Sequence, residues 1–166
     1  LLAEVIEKAS EKNADPIIAE QVAIGAVKYM ILRQSPGQDI IFDPEKSLSL
    51  EGDSGPYLQY ALVRAKKILA YDSDGAAGTE TPDAPYDIER AVIHFPEVAA
   101  RAAKDLAPQL VLTYLTELAG AWNAFYAKEQ VLGSPEEAYK QRAARAFANT
   151  MQAGLDLLGI PAPEKM

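Results

Sequence analysis

The chain has 166 residues, of which 49% are hydrophobic and 24% are charged, and its formal net charge is −8. This length suits one ordinary domain with a hydrophobic core, or one domain plus a fragment, and the composition excludes a disordered chain. The absence of cysteine excludes disulfides and thiolate metal sites, and the acidic balance argues against sequence-independent binding to DNA or RNA.

The sequence shows no apolar run of membrane-helix length and no secretory signal at its start. We therefore expect a cytoplasmic protein without a membrane partner, which agrees with the lack of cysteine. The chain lacks an initiator methionine and opens inside a helical pattern, so we expect it to be a fragment of a longer protein.

The apolar periodicity of the first third predicts helices separated by short breaks. The first helix is predicted from Leu1 to about Lys12, and Asp15 followed by Pro16 indicates the start of a second that ends near Leu32. Residues 39–44 are predicted to form a brief extended segment before a helical turn.

The rest of the chain is also predicted to be helical, with one long polar interruption. Helices are predicted from Pro56 to about Tyr71, from Tyr86, from Phe95–Pro96 to about Asp105, and from about Pro108 to Lys128. Residues 72–85 have almost no apolar bulk and predict a mobile surface loop.

The last helix has a clear start signal in the sequence. Ser134 as N-cap, Pro135 at the first position and Glu137 form a capping-box pattern, and Gly159 followed by Pro161 ends the helix. Taken together, the predicted helices indicate an all-α fold, a helical bundle with at most one or two short strands in the first third.

The segment most informative about function is residues 51–60, Glu-Gly-Asp-Ser-Gly-Pro-Tyr-Leu-Gln-Tyr. Its tyrosines lie beside a predicted helix start, and Arg64 follows one turn after Tyr60. Aromatic faces, an amide and a guanidinium in this arrangement suit an unpaired nucleotide base, which they can stack on and hydrogen-bond. The same residues are also typical of a tight turn followed by a helix whose tyrosines lie in the core.

An acidic chain needs a local basic site to bind nucleic acid. Each basic cluster of this chain, taken alone, is more typical of a solvated helix face than of such a site. The two clusters are Arg64, Lys66 and Lys67, and Lys140, Arg142 and Arg145.

Residues 51–60 followed by Arg64 resemble the hallmark of arginyl-tRNA synthetases, which lies at the junction between the catalytic core and the anticodon-binding domain. Residues 23–29 are similar to the segment upstream of that junction, and residues 154–166 resemble the family's carboxyl terminus, which usually ends on methionine. The resemblance implies that residues 1–54 are the tail of the catalytic core. Residues 55–166 would be the helical anticodon-binding domain typical of class I synthetases.

The resemblance also implies a tRNA-binding site. Tyr57 and Arg64 match residues that lie against the central cytosine of the anticodon, while Met166 and Tyr126 match residues that line the same site. The seven-residue spacing of Tyr57 and Arg64 is two helical turns, so both project from one face. The implied partners are the anticodon of tRNA-Arg and the catalytic domain of the same protein. Tyr126 also suits core packing, and we expect Gln59 and Tyr60 to support the junction.

Catalysis is not expected in this chain. Class I synthetases use a His-Ile-Gly-His-like motif and a Lys-Met-Ser-Lys-like loop, and neither is present; His94 is the single histidine. A lone histidine without cysteine or a close acidic partner makes neither a zinc site nor a catalytic triad. We therefore assign no catalytic, metal or cofactor-binding residue, and we expect ATP and Mg²⁺ to belong to the catalytic domain of the parent enzyme.

Two alternatives remain open from the sequence. The chain could be a helical protein-interaction module with a partner groove at Trp122, Phe125 and Tyr126. It could also be the related domain of another class I synthetase, such as the cysteine enzyme. Convergence of Tyr57, Arg64, Tyr126 and Met166 on one exposed concave patch would favour the arginyl-tRNA synthetase interpretation over the interaction module.

Overall fold

The computed structural model describes residues 1–35, 37–71 and 78–166, and its regular structure in these ranges is entirely α-helical. The prediction of an all-α helical bundle is therefore confirmed. The helices described are α1 Leu2–Lys12, α2 Pro16–Leu32, α3 Pro44–Ser47, α4 Gly55–Leu69, α5 Asp87–Val92, α6 Phe95–Asp105, α7 Pro108–Lys128 and α8 Glu137–Leu158.

Local start signals determine where several helices begin. Asp15 accepts hydrogen bonds from the backbone nitrogens of Ile17 and Ile18 at the start of α2. Ser54 caps α4 by accepting one from Tyr57 N at 3.1 Å. These side chains satisfy N–H groups that have no partner within the first helical turn. The predicted starts near Pro16 and Pro56 are confirmed because both signals are local in sequence.

The predicted start of the last helix is wrong. Ser134 donates its hydroxyl to Val131 O instead of capping α8, which begins at Glu137. The Glu137 carboxylate accepts from Gly133 N at 2.7 Å, so it reaches one residue further back than a capping box would require. Residues 134–136 form a turn whose backbone bonds to another segment: Pro135 O accepts from Glu80 N at 2.9 Å.

The first six residues of the loop predicted at residues 72–85 cannot be compared with the structure, because residues 72–77 lie outside the described ranges. The prediction that the loop is mobile remains a prediction. Its last part lies against the turn before α8, where Gly78 O accepts from Ala138 N at 2.9 Å. The extended segment predicted at 39–44 forms no strand, and α3 begins at Pro44.

The apolar residues form two clusters. The smaller one joins α1, α2 and Leu48 through Val5, Ala9, Ala19, Ala23 and Ala26. The larger one fills the space among α4, α5, α6, α7 and α8, and α2 contributes Tyr29 to it. Among the helices of the described ranges, none is long and apolar enough to cross a membrane. The boundary predicted between residues 54 and 55 remains a prediction.

α2 and α4 cross at two glycines. A Cβ added to Gly55 would overlap the carbonyl oxygen of Gly25 and would lie 2.9 Å from Ala26 N. A Cβ added to Gly25 would lie 2.5 Å from Nε2 of Gln59, which is fully buried. The close crossing therefore requires glycine at position 55, whereas glycine at position 25 leaves room for the buried amide of Gln59.

The chain leaves α8 through a left-handed cap and folds back over the bundle. Gly159 has φ +62°, and Ile160 N donates to Leu155 O at 2.9 Å, as in a Schellman motif. The following tail is fixed by Gln59, whose Nε2 donates to Pro161 O at 2.7 Å and to Gln21 O at 3.0 Å. This buried amide confirms the supporting role expected for Gln59.

Candidate functional site

The site is built around Asn123 of α7, which links two residues of α4. Asn123 Nδ2 donates to the Tyr57 hydroxyl at 3.0 Å, and Asn123 Oδ1 accepts from Arg64 Nη1 at 3.1 Å. Tyr57 and Arg64 therefore project from the same face of α4, as their spacing predicted. A single amide holds both side chains, so their orientations are coupled.

Arg64 lies against aromatic rings. Its Cζ atom is 3.7 Å from the ring centroid of Tyr126 and 5.5 Å from that of Tyr60. Guanidinium groups favour the face of an aromatic ring for electrostatic and stacking reasons. The contact fixes the plane of the guanidinium, and Tyr126 keeps 39% of its surface exposed.

These residues line a surface cavity of about 370 Å³ between α4, the end of α7 and the carboxyl-terminal tail. Arg64, Tyr60 and Tyr126 lie in its wall together with Lys67 and Met166. The cavity thus offers aromatic faces, a thioether and the N–H groups of a guanidinium. These groups suit a flat heteroaromatic ring, which can stack on tyrosine and accept hydrogen bonds from arginine.

The structure brings three of the four predicted site residues to one cavity: Arg64, Tyr126 and Met166. Tyr57 does not line it and is half-buried behind it, joined to Arg64 through Asn123. The role assigned to each residue remains a prediction.

Asn123 was not among the residues predicted from the sequence. Tyr60, which was expected to support the junction, lies in the cavity wall. One signal could have found Asn123. It is a polar residue between the apolar Trp122 and Phe125, three positions before Tyr126 and hence on nearly the same helix face.

The partner groove considered at Trp122, Phe125 and Tyr126 is not a surface feature. Trp122 is fully buried and stacks on Phe147 with ring centroids 4.6 Å apart, and Phe125 is only 6% exposed. Only Tyr126 reaches the surface. The apolar stripe of α7 packs into the core, so it leaves no such groove for a partner protein.

The cluster of Lys140, Arg142 and Arg145 does not form one basic patch. Lys140 is buried and forms ion pairs with Glu129 at 2.9 Å and Glu136 at 3.1 Å. Burial alone would lower the pKa of Lys140, but hydrogen bonds to these two carboxylates outweigh burial and raise the pKa above its ordinary value. Lys140 is thus part of the structural core.

The protein is an all-α bundle, and a cavity lined by aromatic residues and an arginine lies where α4 meets the carboxyl-terminal tail. These two features place it in the class of helical recognition domains. Residues 58–166 match the family model described as the DALR anticodon binding domain, and the chain belongs to this family.

Two similar proteins are both named arginine–tRNA ligase. The chain is 39% identical to an arginine–tRNA ligase of Ignicoccus hospitalis over 98% of its own length and 27% of that protein. It is 37% identical to the Thermus thermophilus arginine–tRNA ligase, over 98% of the chain and 31% of that protein. The chain therefore spans less than a third of these relatives.

Two solved structures have the same fold. The arginyl-tRNA synthetase of Thermus thermophilus superposes with a TM-score of 0.90 at 33% identity, over 99% of this chain and 31% of that one. The arginyl-tRNA synthetase of Plasmodium falciparum superposes with a TM-score of 0.85, over 99% of this chain and 33% of that one. At 20% identity, the second likeness speaks for the fold alone.

Proposed function

We propose that this chain is the tRNA-recognition part of an arginine–tRNA ligase, and that it binds the anticodon of tRNA-Arg. The family membership supports the anticodon-binding role, and the names of the similar proteins support arginine as the amino acid. The cavity lined by Arg64, Tyr126 and Met166 is the site that receives an anticodon base in this proposal.

The observation that carries the proposal is the convergence of these three residues on one cavity, with Tyr57 tied to Arg64 by Asn123. A base that leaves the stack of the anticodon loop exposes both its face and its edge. Tyr126 and Tyr60 offer surfaces for the face, while the N–H groups of Arg64 that do not bond Asn123 can donate to the acceptors of a pyrimidine. We assign the central cytosine to this cavity.

The attachment of arginine belongs to the rest of the parent enzyme in this proposal. The chain carries a single histidine and neither class I signature, so it lacks the motifs with which class I synthetases activate the amino acid. We expect no arginine-dependent ATP–pyrophosphate exchange from the chain alone. Exchange above a buffer control would contradict this division of labour.

The test compares two tRNAs with two arginine variants. Binding of tRNA-Arg, and of the same tRNA with its central anticodon base changed, would be titrated by fluorescence anisotropy for the wild type, Arg64→Ala and Arg90→Ala. Arg64→Ala should weaken binding of tRNA-Arg by about 1–3 kcal/mol, the scale of a base-edge contact, and should abolish discrimination. Arg90→Ala is the matched control, because Arg90 is exposed on α5 and does not line the cavity.

The result that would overturn the site assignment is equal discrimination by the wild type and Arg64→Ala. If the wild type binds tRNA-Arg no more tightly than a non-cognate tRNA, the proposed function itself fails.

A further inference from the structure

A second cavity continues from the first along the surface between α4 and α8. It has a volume of about 800 Å³ and shares Val63, Lys67 and Met166 with the aromatic cavity. We call it the basic groove. A ligand that enters the aromatic cavity can therefore extend into the basic groove without leaving the protein surface.

The charge of the basic groove is opposite to that of the whole chain. Its lining includes four basic side chains, Lys66, Lys67, Arg145 and Lys165, and one acidic side chain, Glu164. The chain as a whole carries a net charge of −8. Because four basic side chains and one acidic side chain lie together here, the groove is a local site for an anion on a chain whose net charge would otherwise repel one.

Two of the four cations are already paired, and both pairs are weak. Lys66 lies 3.3 Å from Glu164, whose side chain is 86% exposed, and Lys165 lies 3.5 Å from Asp15. Exposed pairs of this kind contribute little, so an incoming phosphate can compete with the carboxylate. Within the described ranges, Lys67 and Arg145 form no salt bridge.

We propose that the basic groove binds the phosphodiester backbone of the RNA strand whose base occupies the aromatic cavity. This inference rests on the proposed function. Lys67 belongs to both cavities and would contact the phosphate next to the bound base, while Arg145 would contact a phosphate further along the strand. The amide of Asn149, also in the groove lining, adds a donor suited to a phosphate oxygen.

Backbone contacts and base contacts leave different signatures in a binding experiment. A phosphate contact affects all sequences alike and adds to the salt dependence, by about 0.7 in the slope of log K against log salt for a single strand. A base contact instead changes the discrimination between sequences. The basic groove and the aromatic cavity can therefore be tested separately in the same titrations.

The experiment measures binding of tRNA-Arg and of its central-base variant over a series of salt concentrations. Lys67→Gln and Arg145→Gln should each lower the salt slope by about 0.7 and should weaken binding of both tRNAs by the same factor. Lys104→Gln is the matched control, because this exposed lysine of α6 lies outside the groove. Glu164→Gln should tighten binding of both tRNAs, since it removes the carboxylate that competes for Lys66.

The outcomes separate the two proposals. If the wild type discriminates the tRNAs but Lys67→Gln and Arg145→Gln have the same slope as Lys104→Gln, the groove inference is wrong and the base site stands. If the wild type binds both tRNAs equally while the slopes fall as expected, the groove binds phosphates without an anticodon base in the aromatic cavity, so the base site and the groove inference as stated are both wrong. If the wild type binds neither tRNA, both proposals are wrong.

Discussion

The crossing of α2 and α4 gives a stability prediction with an internal control. In Gly55→Ala, the new methyl group would overlap the carbonyl oxygen of Gly25 and crowd Ala26 N. Both obstacles are backbone atoms of α2, so no side chain can rotate out of the way and the two helices must separate. Overpacking of this kind costs about 1–3 kcal/mol, and we place this substitution in the upper half of that range because the obstacle is rigid.

One effect opposes this loss. Replacing glycine by alanine restricts the unfolded chain, which stabilises a protein by about 0.4–1 kcal/mol where the native backbone tolerates alanine. Subtracting this from the overpacking cost leaves a net loss of about 2 kcal/mol in the free energy of unfolding. The same substitution at Gly120, inside α7, meets no atom within 4 Å. Gly120→Ala should therefore stabilise the protein by about 0.5–1 kcal/mol.

Urea unfolding followed by far-UV circular dichroism would measure both variants against the wild type. The expected result is a pair of midpoint shifts of opposite sign, with the slope of the transition unchanged. If Gly55→Ala proves as stable as the wild type, the close crossing is not a constraint and the explanation given for Gly55 is wrong.

Three further predictions concern a core residue, an ion pair and the site. Trp122→Ala should destabilise the bundle by about 3–5 kcal/mol in urea unfolding, because the indole is fully buried against Phe147; a loss below about 1 kcal/mol would contradict this. A hydrogen bond from Tyr86 and a second one from Lys140 lower the pKa of Glu136 below its ordinary value of 4.5. The ionised Glu136 carboxylate therefore stabilises the fold above about pH 4.5, and this stabilisation is lost as the pH falls through the lowered pKa. The difference in unfolding midpoint between the wild type and Glu136→Gln should accordingly disappear in acid. A difference that stays constant with pH would refute the linkage. Asn123→Ala should weaken binding of tRNA-Arg without unfolding the chain, and unchanged binding by anisotropy would exclude the bridging role.

The sequence predicted those parts of the fold whose signals are local. Both bounds of α7 are as predicted, because Pro108 and the apolar spacing that ends near Lys128 lie within the helix itself. The predicted start of α8 was wrong because contacts with a distant segment of the chain, and not local signals, decide where this helix begins. The residues around Ser134 match a capping box, but their backbone bonds to residues 78–80, which are distant in sequence. Competition of this kind cannot be read from a four-residue pattern.

The candidate site shows the same division. The seven-residue spacing was enough to put Tyr57 and Arg64 on one face of α4, because helical geometry fixes that relation. The bridge through Asn123 joins α4 to α7, and the stacking of Arg64 on Tyr126 depends on the same packing. Neither contact can be predicted from the sequence of a single helix, because each joins a residue of α4 to a residue of α7.

The carboxyl-terminal wall of the aromatic cavity depends on residues at the other end of the chain. Nε2 of Gln59 has two hydrogens, and both are used, one on Gln21 O of α2 and one on Pro161 O of the tail. α2 cannot shift along α4 without breaking one of these contacts or moving the tail with it. α2 therefore helps to fix the position of the tail that carries Met166.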